Sequence, residues 1–468
     1  AGADMDKIRA VSQSVKEELA RLYPDDGLRD SVVSSINGRA AEICSSAVTY
    51  TKKNYDSSDR KIDRVLTGRV SGYAIMLLML TAVFWLTIVG ANYPSDCLSK
   101  LFMSFQGVLS GFFEKIGAPG WLHGVIVLGA YRVLSWVVAV MLPPMAIFFP
   151  LFTLLEDVGY LPRIAYNLDK PFKKCHACGK QALCMAMGFG CNAAGVVGCR
   201  IIDSPRERLL AILTNNFVPC NGRFPTLIAV ITMFFVVSES ASAMTSVLSA
   251  VILMLFVVLG VLVTFGVTRL LSSTLLRGIP SSFTLELPPY RRPQIGRVIV
   301  HSVFDRTLFV LGRAAAVAAP AGIIIWLMAN ITIGDASILS HCAEFLDPLG
   351  RLMGLDGVIL IAFILGFPAN EIVLPIILMA YTAQGSLAEI GSLVSLRELF
   401  VSHGWTWLTA VCVMLFSLMH FPCSTTLLTV KRETGSLKWT ALAALIPTAV
   451  GMIICILLAS FARLLGLV

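Results

Sequence analysis

Two short stretches place sulfur and oxygen donors beside residues that interrupt helices. Gly188-Phe189-Gly190-Cys191-Asn192 and Gly366-Phe367-Pro368-Ala369-Asn370 share a Gly-Phe-x-x-Asn pattern, and Glu371 follows the second. Val218-Pro219-Cys220 and Phe421-Pro422-Cys423 share a proline followed by a thiol, with His420 three residues before Cys423. Thiolate, imidazole, carboxylate and amide oxygen together suit a borderline first-row divalent cation better than Mg2+ or Ca2+, whose shells are oxygen. Cys191, Asn192, Cys220, Asn370, Glu371, His420 and Cys423 are therefore candidate metal ligands. Glu371 is the most informative, because an ionisable group within a membrane span is costly and marks a functional site by default. Its alternative reading is a carboxyl kept protonated or paired with an arginine of a neighbouring helix. Met185 and Met187 are weaker candidates, since methionine more often fills irregular gaps than binds metal.

The elements that hold these residues are set by composition. With 56% hydrophobic and 14% charged residues over 468 positions, the chain lies outside soluble usage and reads as a polytopic membrane protein. Apolar runs long enough for a ~30 Å hydrocarbon core fall near 73–91, 122–142, 208–237, 243–268, 306–331, 405–430 and 439–462. Two more, near 180–200 and 357–382, are interrupted, so the expected fold is an all-α bundle of roughly eight to ten spans. Residues 1–69 differ: Ile8, Val11, Val15, Leu19 and Leu22 recur at helical spacing among charges, and a second helical stretch runs from about Leu28 to Tyr50. Arg60, Lys61, Arg64 and Arg69 crowd the first span, which by the positive-inside rule places the N-terminus in the cytoplasm. Arg269, Arg277, Arg291, Arg292, Arg297 and Arg306 mark the 269–306 loop as cytoplasmic too, whereas 335–356, with Asp335, Glu344, Asp347 and Asp356 against Arg351, faces outward. The net charge of +8 is thus explained by orientation and anionic lipid and needs no nucleic-acid partner.

The two halves repeat. Trp85-Leu86, Ala91-Asn92, an amphipathic stretch and Gly124-Val125-Ile126 are matched by Trp326-Leu327, Ala329-Asn330, a similar stretch and Gly357-Val358-Ile359, and each half then carries its Gly-Phe-x-x-Asn and Pro-Cys. Duplicated halves with interrupted helices are the signature of a secondary-transporter fold, in which half-helix ends and freed backbone groups meet a substrate near the midplane. The expected organisation is a cytoplasmic helical segment over 1–69, transmembrane halves at 70–272 and 306–468, and a cytoplasmic linker at 273–305. The twelve cysteines do not suggest a disulfide framework, and most read as small buried hydrophobes. Cys175-His176-Ala177-Cys178 has a metal-like spacing but lacks a second paired element, and reads as a basic loop beside Lys173, Lys174 and Lys180. No His-Glu-x-x-His, Gly-x-Ser-x-Gly or Asp-Lys-Thr-Gly supports an enzyme. Two rivals stay open: an ion-coupled carrier of a nucleoside or small solute using Asn192, Asn370 and Glu371, and a membrane receptor or scaffold relaying a nucleotide signal.

DRVLTGRVSGYAIMLLML at 63–80, GFGCN at 188–192, SPRERLLAILTNNFVPCNGRFP at 204–225, GFPANEIVLP at 366–375 and FPCSTTLLTVKRETGS at 421–436 resemble the membrane domain of the bacterial ferrous-iron transporter B family, FeoB, over about residues 60–465. The resemblance implies Fe2+ as the transported substrate in the bacterial cytoplasmic membrane, two paired gate regions, and iron handling by Cys191, Cys220 and Cys423. It also implies small accessory proteins of the uptake system and leaves homo-oligomerisation open. Pro219-Cys220-Asn221-Gly222-Arg223-Phe224-Pro225 departs mildly from the family pattern, with Gly222 where alanine is common. The family's N-terminal GTP-binding domain has no phosphate-cradling Gly-x-x-x-x-Gly-Lys-Ser/Thr here, so GTP and Mg2+ would act only through a domain outside this chain. The chain is then expected to be no enzyme itself, and to be a fragment or one part of a split system.

Overall fold

In the computed structural model, residues 14, 15, 18, 27–47, 57–236, 243–278, 289–290, 294–334, 336–381 and 393–466 are described. Among them the strands are one short antiparallel pair, Thr332–Ile333 with Ala336–Ser337, and the rest is overwhelmingly helical. The helix expected from Ile8 to Leu22 falls largely outside the described residues, whereas the second forms as α1, Gly27–Ala47. It is followed by α2, Ser57–Leu66.

The first span belongs to α3, Ser71–Ile116, whose 46 residues reach ~69 Å at ~1.5 Å per residue, over twice the hydrocarbon thickness. It passes through Pro94 unbroken, so the amphipathic stretch expected after Asn92 extends the same helix. Next come α4, Gly120–Asp157, with a π-helical segment at Gly124–Tyr131, and α5, Tyr160–Lys174. The first broken region comprises α6, Lys180–Gly190, α7, Asn192–Gly198, α8, Pro205–Thr214, and α9, Phe224–Phe234. After α10, Ala243–Ser273, and α11, Leu308–Asn330, the second half contains α12, Ile338–Leu352, α13, Gly357–Leu365, α14, Val373–Tyr381, and α15, Leu393–Ser402. It ends with α16, Trp407–Met419, α17, Ser424–Thr434, and α18, Leu437–Leu464.

Five stretches are long and apolar enough to cross a membrane among the described residues, or six if α12 and α13, bent by 111°, count as one. The apolar runs at 180–200, 208–237 and 357–382 fold as broken pairs instead of single rods, which is why long helices number fewer than the eight to ten spans expected. Small residues bring α4 and α11 together: a Cβ on Gly129 would lie 3.1 Å from both the Gly322 carbonyl and the Trp326 Cβ. Around the breaks the core is aromatic, as where Phe363 of α13 meets Phe416 of α16 edge-on at 4.9 Å.

One face gathers the basic segments. Arg163 of α5 is buried and reaches the Asp63 carboxylate of α2 at 3.0 and 3.4 Å, and Tyr290 donates to the same carboxylate at 2.6 Å while its ring lies 4.1 Å from the guanidinium. Arg206 donates to the carbonyls of Leu276 and His176 at 3.0 and 2.7 Å, so the end of α10, the α5–α6 turn and α2 share that face. Helix α18 starts beside the Arg200–Glu433 ion pair and ends where Arg463 donates to the Arg351 carbonyl, which puts the acidic 335–356 region at the opposite end. Asp335 itself lies outside the described residues. The Cys175–Cys178 segment is a short turn between α5 and α6 with both thiols buried and His176 at φ 59°.

Burial raises the Asp63 carboxyl, but the hydrogen bonds from Arg163 and Tyr290 outweigh it and hold the group below its ordinary value. A lowered folded-state pKa stabilises the junction above the unfolded value of about 3.9 and stops doing so as pH falls through the folded value. In Asp63→Asn the amides of Ser57–Leu66 are expected to exchange about tenfold faster at neutral pH, the size of a lost charged hydrogen bond. Hydrogen exchange read by mass spectrometry checks this, and unchanged protection of α2 counts against a junction held by that charge.

Candidate functional site

Each donor sits where a helix stops. Helix α6 ends at Gly190, Cys191 is extended at φ −155° and ψ 125°, and α7 restarts at Asn192. In the second half Ala369 takes nearly the same conformation, φ −152° and ψ 114°, immediately before Asn370. The two Gly-Phe-x-x-Asn motifs are thus one backbone device used twice, with a thiol at one position and a methyl at its counterpart. At the other two breaks proline supplies no N–H and biases the residue before it toward extended backbone. Val218, at φ −89° and ψ 122°, leads into Pro219-Cys220, and His420, at φ −70° and ψ 174°, ends α16 before Pro422-Cys423.

These four breaks converge on a cavity of about 50 Å³ lined by Cys191, Asn192, Cys220, Asn370, Glu371 and Cys423. Met145 of α4, Thr425 of α17 and Gly222 also line it. Glu371 Oε1 and Asn192 Oδ1 are buried with no hydrogen-bond partner. An orphaned buried oxygen of this kind is costly unless something positively polarised meets it. Among the described residues Glu371 has no ion-pair partner, which removes the arginine pairing as its explanation. Among those residues, too, no three of His, Cys, Asp and Glu are placed to grip one ion together, so the thiols line a space without closing round it.

The nearby arginine has a different task. Arg223 is fully buried, and its guanidinium donates to the carbonyls of Asn216 and Leu418 at 2.8 Å, to Asn216 Oδ1 and the His420 carbonyl at 3.0 Å, and to the Phe421 carbonyl at 3.4 Å. It therefore satisfies the carbonyls that the end of α16 leaves free and clamps the first half to the second. Asn216 extends the clamp by donating to the His420 carbonyl at 2.6 Å and accepting from Asn192 at 3.1 Å.

His420 stands one layer behind the cavity. Its Nδ1 lies 2.9 Å from the Ser417 carbonyl and 3.1 Å from that of Phe416, both acceptors, so this nitrogen carries a proton. Asn370 Oδ1 faces the other ring nitrogen, Nε2, at 3.4 Å. Met185 packs in a small core with Phe172 and Val218, and Met187 Sδ fills the space beside Gly198, so the thioether on the cavity is Met145. Sequence gave little warning of Met145, one of many methionines in apolar runs, although Pro143-Pro144 just before it hints at irregular helix. Gly222 is more than a mild departure: a Cβ there would lie 2.8 Å from Glu371 Oε2. A larger cavity of about 610 Å³, lined by Asp96, Lys100, Arg132, Trp136 and Thr226, reaches the same Glu371.

A bundle with paired broken helices, donors at the breaks and a buried cavity between them defines a gate-type membrane transport domain. A family model described as Gate, nucleoside recognition, matches residues 138–235 and 311–437, and one described as the ferrous iron transport protein B C terminus matches 253–305. Relatives include the Fe(2+) transporter FeoB of Staphylococcus aureus, 27% identical over 93% of this chain and 64% of its own, and that of Methanocaldococcus jannaschii, 25% identical over 98% and 66%. A Fe(2+) transport protein A/Fe(2+) transporter FeoB fusion protein of Porphyromonas gingivalis is 24% identical over 85% of this chain and 51% of its own. The chain thus spans less than two thirds of the length of these relatives, and no solved structure matches it. These matches, taken together over most of the chain, support a membrane domain similar to that of FeoB.

Proposed function

We propose that this domain passes Fe2+ across the cytoplasmic membrane as the permease part of a GTP-regulated uptake system. The observation that carries the reading is the convergence of Cys191, Cys220, Cys423, Asn192, Asn370 and Glu371 on one small cavity in which two buried oxygens lack partners. Sulfur and oxygen together suit a borderline divalent ion, and donors that do not close round it suit passage better than storage. At about 50 Å³ the cavity has room for an ion and a few waters, far below the roughly 300–1,000 Å³ of small-molecule sites, which disfavours a nucleoside there. Nucleotide control would reach the domain through the helices before Ser71, and an accessory protein like the one fused in the Porphyromonas relative would act alongside.

Liposomes holding this chain, with iron kept reduced, provide the test. Cys191, Cys220 and Cys423 replaced together by serine are expected to cut Fe2+ uptake by about tenfold or more, because thiolate ligands are lost. Thiolates bind only after losing a proton, so wild-type affinity should rise with pH and the variant's should not. Uptake at the parental rate by a well-folded triple variant would remove the thiols from the path.

A further inference from the structure

Glu371 lines two separate cavities. On one side lies the thiol cavity, and on the other the 610 Å³ vestibule, whose wall includes Asp96 and Lys100 on the far part of α3, Arg132 on α4 and Thr226 on α9. Asp96 lies 25 residues beyond Ser71 on an unbroken helix, or ~38 Å at ~1.5 Å per residue. The vestibule therefore opens toward the end away from the Asp63–Arg163 face. Glu371 is only 4% exposed and Thr226 only 2%, and Glu371 Oε1 and Thr226 Oγ1 are both buried without a partner. Two orphaned oxygens on the vestibule wall form a polar patch with nothing among the described residues to satisfy it.

The Glu371 side chain is seated rather than free. Oε2 occupies the space over Gly222, where even a methyl would come within 2.8 Å of it, and Gly222 itself is buried. A side chain at 222 would push the end of Glu371 off this position, and the backbone there needs no glycine conformation.

We propose that Glu371 is the partition between the vestibule and the thiol cavity, and that Gly222 is the positioning residue that seats it. A cation in the vestibule meets the carboxylate and the Thr226 hydroxyl first and reaches Cys191 and Cys423 only when the side chain swings off its seat. Glu371 thereby joins two tasks, attracting the ion by charge and closing the path by length. The partition lies on the route proposed above for iron, but its test uses no metal, so the two ideas fail separately.

The test is the rate at which the cationic thiol reagent MTSET modifies Cys191 and Cys423 in the purified full chain, read by peptide mass spectrometry. Glu371→Ala is expected to raise both rates about tenfold, as for a locally closed site held open. Glu371→Gln keeps the length and loses the attracting charge, so it should label no faster than the parent, whereas Glu371→Asp, one methylene shorter with its charge kept, should label faster. Gly222→Ala should also speed labelling, and adding it to Glu371→Ala should bring no further rise, since a residue acting through another is non-additive with it. Cys412 and Cys455, fully buried elsewhere, report unfolding. If Glu371→Ala exposes them, the Gln and Asp variants decide. Equal rates in the parent and the folded Ala or Asp variants overturn the partition, and a parental rate in Gly222→Ala, or additivity in the double variant, overturns its seat.

Discussion

Glu371→Gln is expected to fold and melt like the parent and to lose Fe2+ uptake by more than the ~10–100-fold that even outer-shell metal partners command. The amide matches the carboxylate in shape and removes only its charge. No ion pair to Glu371 occurs among the described residues, so none is broken by the change. Had an arginine been its partner, neutralising the acid would have stranded a buried cation at a cost of ~3–5 kcal/mol. Glu371→Asp should keep part of the uptake, since the charge survives with a shorter reach. Thermal melting and uptake on one preparation check the pair of statements: a collapsed melt, or uptake at the parental rate, sinks the assignment.

Arg223→Lys should show the opposite division, with stability failing first. The guanidinium makes five contacts to oxygens of Asn216, Leu418, His420 and Phe421, and an ammonium offers three donors from a single point. At about 1–3 kcal/mol for each buried acceptor left unmet, the loss is on the order of 3 kcal/mol. Arg223→Ala should be worse. A melting curve of Arg223→Lys that overlays the parent would show that the two halves are joined by something else.

The class of fold and the positions of the breaks were legible because both depend on local chemistry. Apolar runs, and Gly and Pro within them, announce spans and interruptions, and Asn192, Asn370, Glu371 and the thiols at Cys191, Cys220 and Cys423 stand out as polar or reactive groups at those interruptions. The continuation of α3 past Asn92 was not legible, because Pro94 removes one hydrogen bond without ending the helix. His420 was chosen for its ring, yet its protonated nitrogen is committed to the carbonyls of its own helix. The duty of Arg223 could not be read from its neighbours in sequence, since most of its acceptors are carbonyls nearly two hundred residues away. Gly222 was seen as a substitution but not as a space, because a space belongs to the residue that fills it.

The clamp at Arg223 also constrains how the molecule is made. Arg223 and Leu418 are separated by 195 residues, which a ribosome adding ~5–20 residues per second needs roughly 10–40 s to supply. During that interval the first half lies in the membrane with a charged side chain and no carbonyls from α16 to receive it. An unmatched arginine at bilayer depth is expensive, so the nascent first half must keep that segment near water or beside the insertion machinery until the second arrives. Closure of the gate therefore waits until α16 of the second half has been made.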